Sequence, residues 1–77
     1  MEKTLYFKDL EMPDRIVRKR PELFELEYIS KDSPVWIKTS PNSSYEREFY
    51  FGEGNNCLFR ITVEEAEALL FALGIEI

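Results

Sequence analysis

Residues 61–77 read ITVEEAEALLFALGIEI, and this stretch predicts the helix around which the chain is organised. Thr62 and Glu65 have the T-x-x-E spacing of a capping box, in which each side chain accepts a hydrogen bond from the backbone amide of the other residue. Gly74 supplies the residue of positive φ that commonly ends a helix. We therefore predict a C-terminal helix over about residues 63–73.

The predicted helix has an apolar stripe and one large apolar residue outside it. Phe71 projects away from the stripe, beside the small side chains of Ala68 and Ala72. Two interpretations remain open. Phe71 packs under a loop or the N-terminal segment, or it forms with Ala68, Ala72 and Ile75 a second contact face for a partner or a second copy. The stripe, an arc of about 120°, consists of Val63, Ala66, Leu69, Leu70 and Leu73.

Length and composition indicate one small folded domain over residues 1–77. The chain has 77 residues, 44% of them hydrophobic, with eleven aromatic residues, which suffices for a core and argues against disorder. A single cysteine excludes an internal disulfide, and the absence of histidine excludes the common structural zinc sites. The longest apolar run, residues 68–73, is too short to cross a bilayer, and the charged first residues do not resemble a signal peptide. We expect a cytoplasmic protein without a membrane segment.

The middle of the chain predicts an antiparallel hairpin over about residues 22–39. Two segments of alternating or β-prone residues flank a proline-containing turn. A four-residue loop then places Tyr28 opposite Ile37, and Glu27 opposite Lys38 as a pair of opposite charges. The hairpin therefore has a register that a structure can check.

Two segments before this hairpin are also candidates for strands. Residues 3–8 predict a first strand. Residues 13–20 are either a strand or a short helix, and the strand is favoured because Arg20 precedes a proline and is therefore biased towards extended geometry.

A second hairpin is predicted over about residues 45–61, with its turn at residues 52–56. Its segments are rich in aromatic residues, and the pairing places Phe49 opposite Phe59 on the core face. The predicted fold is therefore α+β: an antiparallel sheet of four to six strands, with hairpins at about 22–39 and 45–61, and the C-terminal helix across the aromatic face.

Nothing in the sequence indicates catalysis, a cofactor or a metal. Without histidine, the common general base and the Ser-His and Cys-His pairs are absent. Cys57 falls on the predicted inward face and reads as a core residue rather than a reactive thiol. The segment 52–54 lies between predicted strands with no helix after it, so it predicts a turn rather than a phosphate cradle. We expect a non-enzymatic protein.

The outer face of the predicted sheet combines large apolar side chains with carboxylates. Such a surface is typical of a binding hot spot, although cross-strand packing alone explains it equally well. We hypothesise that it binds another protein, in one version as an inhibitor or nucleic-acid mimic whose carboxylates occupy a phosphate-binding surface. In size and acidity alone, the chain resembles small phage-encoded inhibitors. The predicted contact residues are Trp36, Tyr50, Ile29, Leu58, Glu25, Glu27, Glu46 and Glu48.

Two alternative functions rest on other residues. The first is nucleic-acid binding through a basic run within residues 15–20. The net charge of −5 is uneven, because residues 1–20 carry +2 and residues 21–77 carry −7. The body of the domain should therefore repel nucleic acid, while the basic run could contact phosphate. A surface strand neutralised by the surplus of glutamate explains that run as well. The second alternative is a homodimer formed through Phe71. The basic run consists of Arg15, Arg18, Lys19 and Arg20.

Overall fold

The computed structural model describes residues 3–53 and 57–75, which form a five-stranded antiparallel sheet with a helix on each face. The α+β class with a C-terminal helix is confirmed. In this part of the chain, neither helix is long and apolar enough to cross a membrane. The strands are β1 (Leu5–Asp9), β2 (Arg15–Lys19), β3 (Glu27–Ser30), β4 (Ile37–Lys38) and β5 (Leu58–Ile61), and the helices are α1 (Ser44–Phe51) and α2 (Val63–Ala72). The strand order in the sheet is β4-β3-β2-β1-β5, which places the last strand beside the first.

The C-terminal helix α2 has the ends that the sequence predicts. The Glu65 amide donates to the Thr62 hydroxyl at 3.0 Å, and the Thr62 amide donates to the Glu65 carboxylate at 3.1 Å. Gly74 has a φ of 76°, a conformation that side chains disfavour. The Ile75 amide then donates to the Leu70 carbonyl at 2.9 Å, which turns the chain back onto the helix.

The first hairpin has the predicted register. Tyr28 lies opposite Ile37 and Glu27 lies opposite Lys38, although both strands are shorter than predicted. The expected charge pair does not form, because the Glu27 carboxylate binds Arg18 and Arg20 instead. The segment 13–20 contributes strand β2 rather than a short helix, and the first predicted strand forms β1. These strands form a continuous antiparallel meander from β1 to β4.

The second predicted hairpin is wrong, because its first strand is helix α1. The Ser43 hydroxyl caps this helix by accepting from the Glu46 amide, and Gly52 ends it with a φ of 69°. These local signals outweigh the strand preference of the aromatic residues in the segment. Strand β5 therefore pairs with β1 instead. Residues 54–56 of the predicted turn lie outside the described residues.

Helix α1 covers the sheet face that was predicted to lie under α2. Helix α2 lies on the opposite face, so both faces of the sheet are covered. Ile16 and Val17 are neighbours on the central strand β2, and they are 1% and 0% exposed on opposite sides of the sheet. Strand β2 therefore belongs to two cores. The α1-side core contains Phe7, Val17, Leu26, Tyr45 and Cys57, and the α2-side core contains Ile16, Ile29, Leu70 and Ile75.

Candidate functional site

Trp36, the aromatic centre of the predicted binding face, lies on the covered side of the sheet. Its ring packs against the α2-side core, and the Arg18 guanidinium lies 4.0 Å from the ring centroid. Ile29 is buried in the same core. The placement of Trp36 and Ile29 on an open face is therefore wrong, because α2 packs over this side of the sheet.

Tyr50 and Leu58, predicted on the same face, lie on the other side of the molecule. Tyr50 belongs to α1, where its hydroxyl donates to the Phe24 carbonyl at 2.7 Å and its ring stacks on the Phe24 ring at 4.5 Å between centroids. Leu58 is half-buried in β5 and packs against the α1-side core. The four apolar residues of the predicted site are thus divided between the two sides of the sheet.

Glu46 is a buried structural acceptor rather than a surface carboxylate. Its side chain is almost fully enclosed, with the residue only 1% exposed. One carboxylate oxygen accepts from the Leu26 amide at 2.7 Å, and the carboxylate also accepts from the hydroxyls of Thr39 and Ser43. Glu46 therefore connects α1 to both ends of the β3–β4 hairpin, at Leu26 before β3 and at Thr39 after β4.

Glu48 holds the start of strand β5. Its two carboxylate oxygens accept from the amides of Cys57 at 3.0 Å and Leu58 at 2.8 Å. Cys57 is buried, as predicted, and burial together with the negative charges of Asp9 and Glu48 raises the pKa of its thiol to about 12. The thiol therefore stays protonated at neutral pH, which fits a core residue and not a nucleophile.

The cations of the predicted nucleic-acid segment are divided between the two faces of β2. On the α2 side, the Nε atoms of Arg18 and Arg20 donate to one Glu27 oxygen at 2.9 and 2.7 Å. On the α1 side, the guanidinium of Arg15 donates to the Tyr45 hydroxyl at 3.1 Å. This arrangement favours a neutralised strand over a continuous basic surface.

Two other charged residues of the predicted sites have weaker partners. The Lys19 ammonium donates to the Arg20 carbonyl at 2.6 Å. Glu25 is half-buried, with a carboxylate oxygen 3.9 Å from the Lys38 ammonium. An ion pair of this length near the surface contributes little to stability.

The ion pairs of Glu27 with Arg18 and Arg20 should make the free energy of unfolding depend on pH. Burial of Glu27 raises its pKa, but hydrogen bonds from Arg20 and Arg18 and their charges outweigh burial, so the pKa lies below its ordinary value. Its stabilising effect is therefore complete above the unfolded-state pKa, about 4.3, and is lost as pH falls through the lower folded-state pKa. We expect Glu27→Gln to be less stable than wild type at neutral pH, with a difference that shrinks in acid. Urea unfolding at several pH values measures this, and a difference independent of pH would contradict it.

An open groove lies along α2 beside strand β1. Its volume is about 620 Å³. Phe71 stands at this groove and is 86% exposed, so no loop and no part of the N-terminal segment among the described residues packs over it. Val63, predicted within the core stripe, is also exposed at the groove. The lining residues are Tyr6, Val63, Ala66, Glu67, Leu70, Phe71 and Ile75.

The groove follows one flank of α2. Val63, Glu67 and Phe71 succeed each other at four-residue intervals, which places them in a row along the helix. Ala68 and Ala72 are exposed as well, but they do not line the groove. Of the second contact face that the sequence suggested, Ala68, Phe71 and Ala72 are therefore exposed, whereas Ile75 is buried in the α2-side core. The groove lies on one side of the exposed residues.

The exposed surface of α2 is strongly negative. Glu64, Glu65 and Glu67 are all exposed, and the last turn carries no basic residue. The glutamates near the start of the helix offset the positive end of its dipole, whereas no cation in the helix offsets the negative end. The exposed charged side chains that α2 itself contributes beside the groove are therefore all negative.

Sequence reasoning grouped Phe71 with Ile75, which also lines the groove, but it did not predict the groove itself. Tyr6 comes from β1, at the far end of the chain, and no local pattern indicates that it lies beside α2. Within residues 3–53 and 57–75, no three acidic or cysteine side chains are grouped so that they could hold a metal ion. No protein-family model, curated protein or solved structure matches the chain. Geometry and charge are therefore the guides to function.

Proposed function

We propose that this protein is a non-enzymatic binding module whose groove along α2 receives another protein. The observation that carries the proposal is Phe71, a large aromatic side chain that is 86% exposed beside a mainly apolar groove. Exposed aromatic residues next to an apolar depression are typical of binding hot spots, because a partner gains most free energy by covering them.

The position of Phe71 on a well-anchored helix supports this function. Helix α2 is capped by Thr62 and Glu65, and its Leu70 is buried in the α2-side core. A contact residue on such an element loses little conformational freedom on binding, so more of the contact energy appears as affinity.

The proposal differs from a nucleic-acid mimic that acts through the predicted sheet face. That mechanism needs free carboxylates at Glu27, Glu46 and Glu48. All three accept hydrogen bonds within the protein. The carboxylates of α2 are exposed instead, so an acidic contact surface is proposed at the helix.

Phe71→Glu should abolish partner capture while the protein remains folded. The residue is exposed, so the substitution changes stability only slightly, whereas it places a charge where the partner buries an aromatic ring. We expect immobilised wild-type protein to enrich a specific protein from a lysate of the cells that produce it naturally. The variant should recover at least about tenfold less of that protein. Quantitative mass spectrometry measures the difference.

Phe51→Glu is the matched control, because Phe51 is a similarly exposed phenylalanine on the other helix. This variant should capture the partner as wild type does. Equal recovery by wild type and Phe71→Glu, with both proteins folded, would contradict the proposed function.

A further inference from the structure

We infer that the occupant of the α2 groove is a basic amphipathic helix of the partner protein, an inference that rests on the proposed function. The apolar lining, the length of the groove and the charge beside it each constrain the occupant. Together they point to a segment with an apolar stripe flanked by lysine or arginine.

The dimensions of the groove suit about two turns of helix. Its lining runs along α2 from Val63 to Phe71. At about 1.5 Å per residue, this row is roughly 12 Å long. A helix lying beside α2 would present apolar residues at i, i+3 or i+4 and i+7 over that length, which is the usual way a helix occupies a groove.

The charges beside the groove select a basic occupant. Glu67 lines the groove and lies one turn before Phe71, so a cation next to Glu67 can also approach the face of the Phe71 ring. A basic side chain therefore gains an ion pair and a cation–π contact at the place where an acidic one would be repelled.

The same charges disfavour a second copy of the chain as the occupant. Two α2 helices brought together through Phe71 would place the exposed glutamates of both near one interface, and neither helix carries a basic residue in its last turn to pair with them. Like charges in an interface cost free energy. The groove is thus suited to a partner of opposite charge.

Two synthetic helical peptides of equal length test the inference on the whole protein. Both carry the same leucine stripe, one with lysines and the other with glutamates on the polar face. We expect fluorescence anisotropy to show binding of the lysine peptide alone, with an affinity that falls as salt is added. Glu67→Gln should weaken this binding severalfold.

Phe71→Glu separates groove binding from general attraction to an acidic protein. The variant is more negative than wild type, so non-specific attraction of the lysine peptide would be retained or increased. Binding in the groove would instead be lost. Retained binding by this variant would therefore overturn the inference.

The remaining outcomes distinguish the inference from the proposed function. If both peptides bind equally and Phe71→Glu abolishes both, the groove binds protein but its charge does not select the partner. If neither peptide binds, the inference of a basic helix is overturned, and the lysate experiment still decides the proposed function. If sedimentation shows a dimer that Phe71→Glu converts to a folded monomer, the occupant is a second copy and the inference is again overturned.

Discussion

Leu70→Ala should lower the free energy of unfolding by about 2–5 kcal/mol. Leu70 is 2% exposed and joins α2 to Ile16 and Ile29 of the sheet. Removing most of its side chain leaves a cavity between the helix and the sheet. Since the whole stability of a domain is about 5–15 kcal/mol, a small domain would lose a large share of it.

Phe71→Ala is the control for this experiment. It removes a larger side chain from the next position of the same helix, yet that side chain is 86% exposed. Its free energy of unfolding should stay within about 0.5 kcal/mol of wild type. Urea denaturation followed by circular dichroism compares the two variants. Equal midpoints would show that Leu70 does not anchor the helix.

Glu46→Ala should have the second large effect, a loss of about 2–4 kcal/mol in the free energy of unfolding. The carboxylate accepts from the buried amide of Leu26 and from the hydroxyls of Thr39 and Ser43. Without it, these donors lose an acceptor in a place that water reaches poorly. Helix α1 also loses its attachment to the first hairpin.

Arg47→Ala tests whether the effect belongs to the carboxylate rather than to the helix. Arg47 is the next residue of α1 and is exposed, so this substitution should change stability by less than about 0.5 kcal/mol. Glu46→Gln keeps one side-chain acceptor, so its free energy of unfolding should lie between those of Glu46→Ala and Arg47→Ala. If Glu46→Ala were as stable as Arg47→Ala, the hydrogen bonds of Glu46 would make no net contribution to the free energy of unfolding.

Helix α2 and the first hairpin could be predicted because their determinants are close together in the chain. The capping box and Gly74 fix the two ends of α2, and the spacing of apolar residues gives its buried side apart from Val63. In the hairpin, turn length and the alternation of residues predict one register, in which Glu27 lies opposite Lys38. Neither prediction needed knowledge of distant parts of the chain.

Helix α1 was missed although its sequence contains a usable signal. Ser43 and Glu46 have the same spacing as Thr62 and Glu65, and Gly52 follows the last turn. The aromatic residues of the segment favour a strand in isolation, and they conceal a helix whose stability comes from packing and from Glu46. This one error also reversed the face assigned to α2, because each sheet face needs its own cover.

The candidate site was predictable only in part for a different reason. The position of Phe71 outside the apolar stripe is a local property of α2 and could be read from the sequence. The groove beside it depends on Tyr6, which reaches α2 only because β5 pairs with β1. A contact between such distant segments leaves no periodic pattern in either of them.

The neighbouring positions of β1 and β5 also set an order of events during synthesis. A ribosome delivers the whole β1–β4 meander, whose pairings are local, well before residues 58–72 emerge. Until then Ile16 and Ile29 have no helix over them, and Tyr6 has no groove beside it. Pairings between distant segments form late. The proposed recognition surface therefore exists only where β1, β5 and α2 have folded together, so a partner that reads it would bind chains with a docked α2 and not chains that lack it.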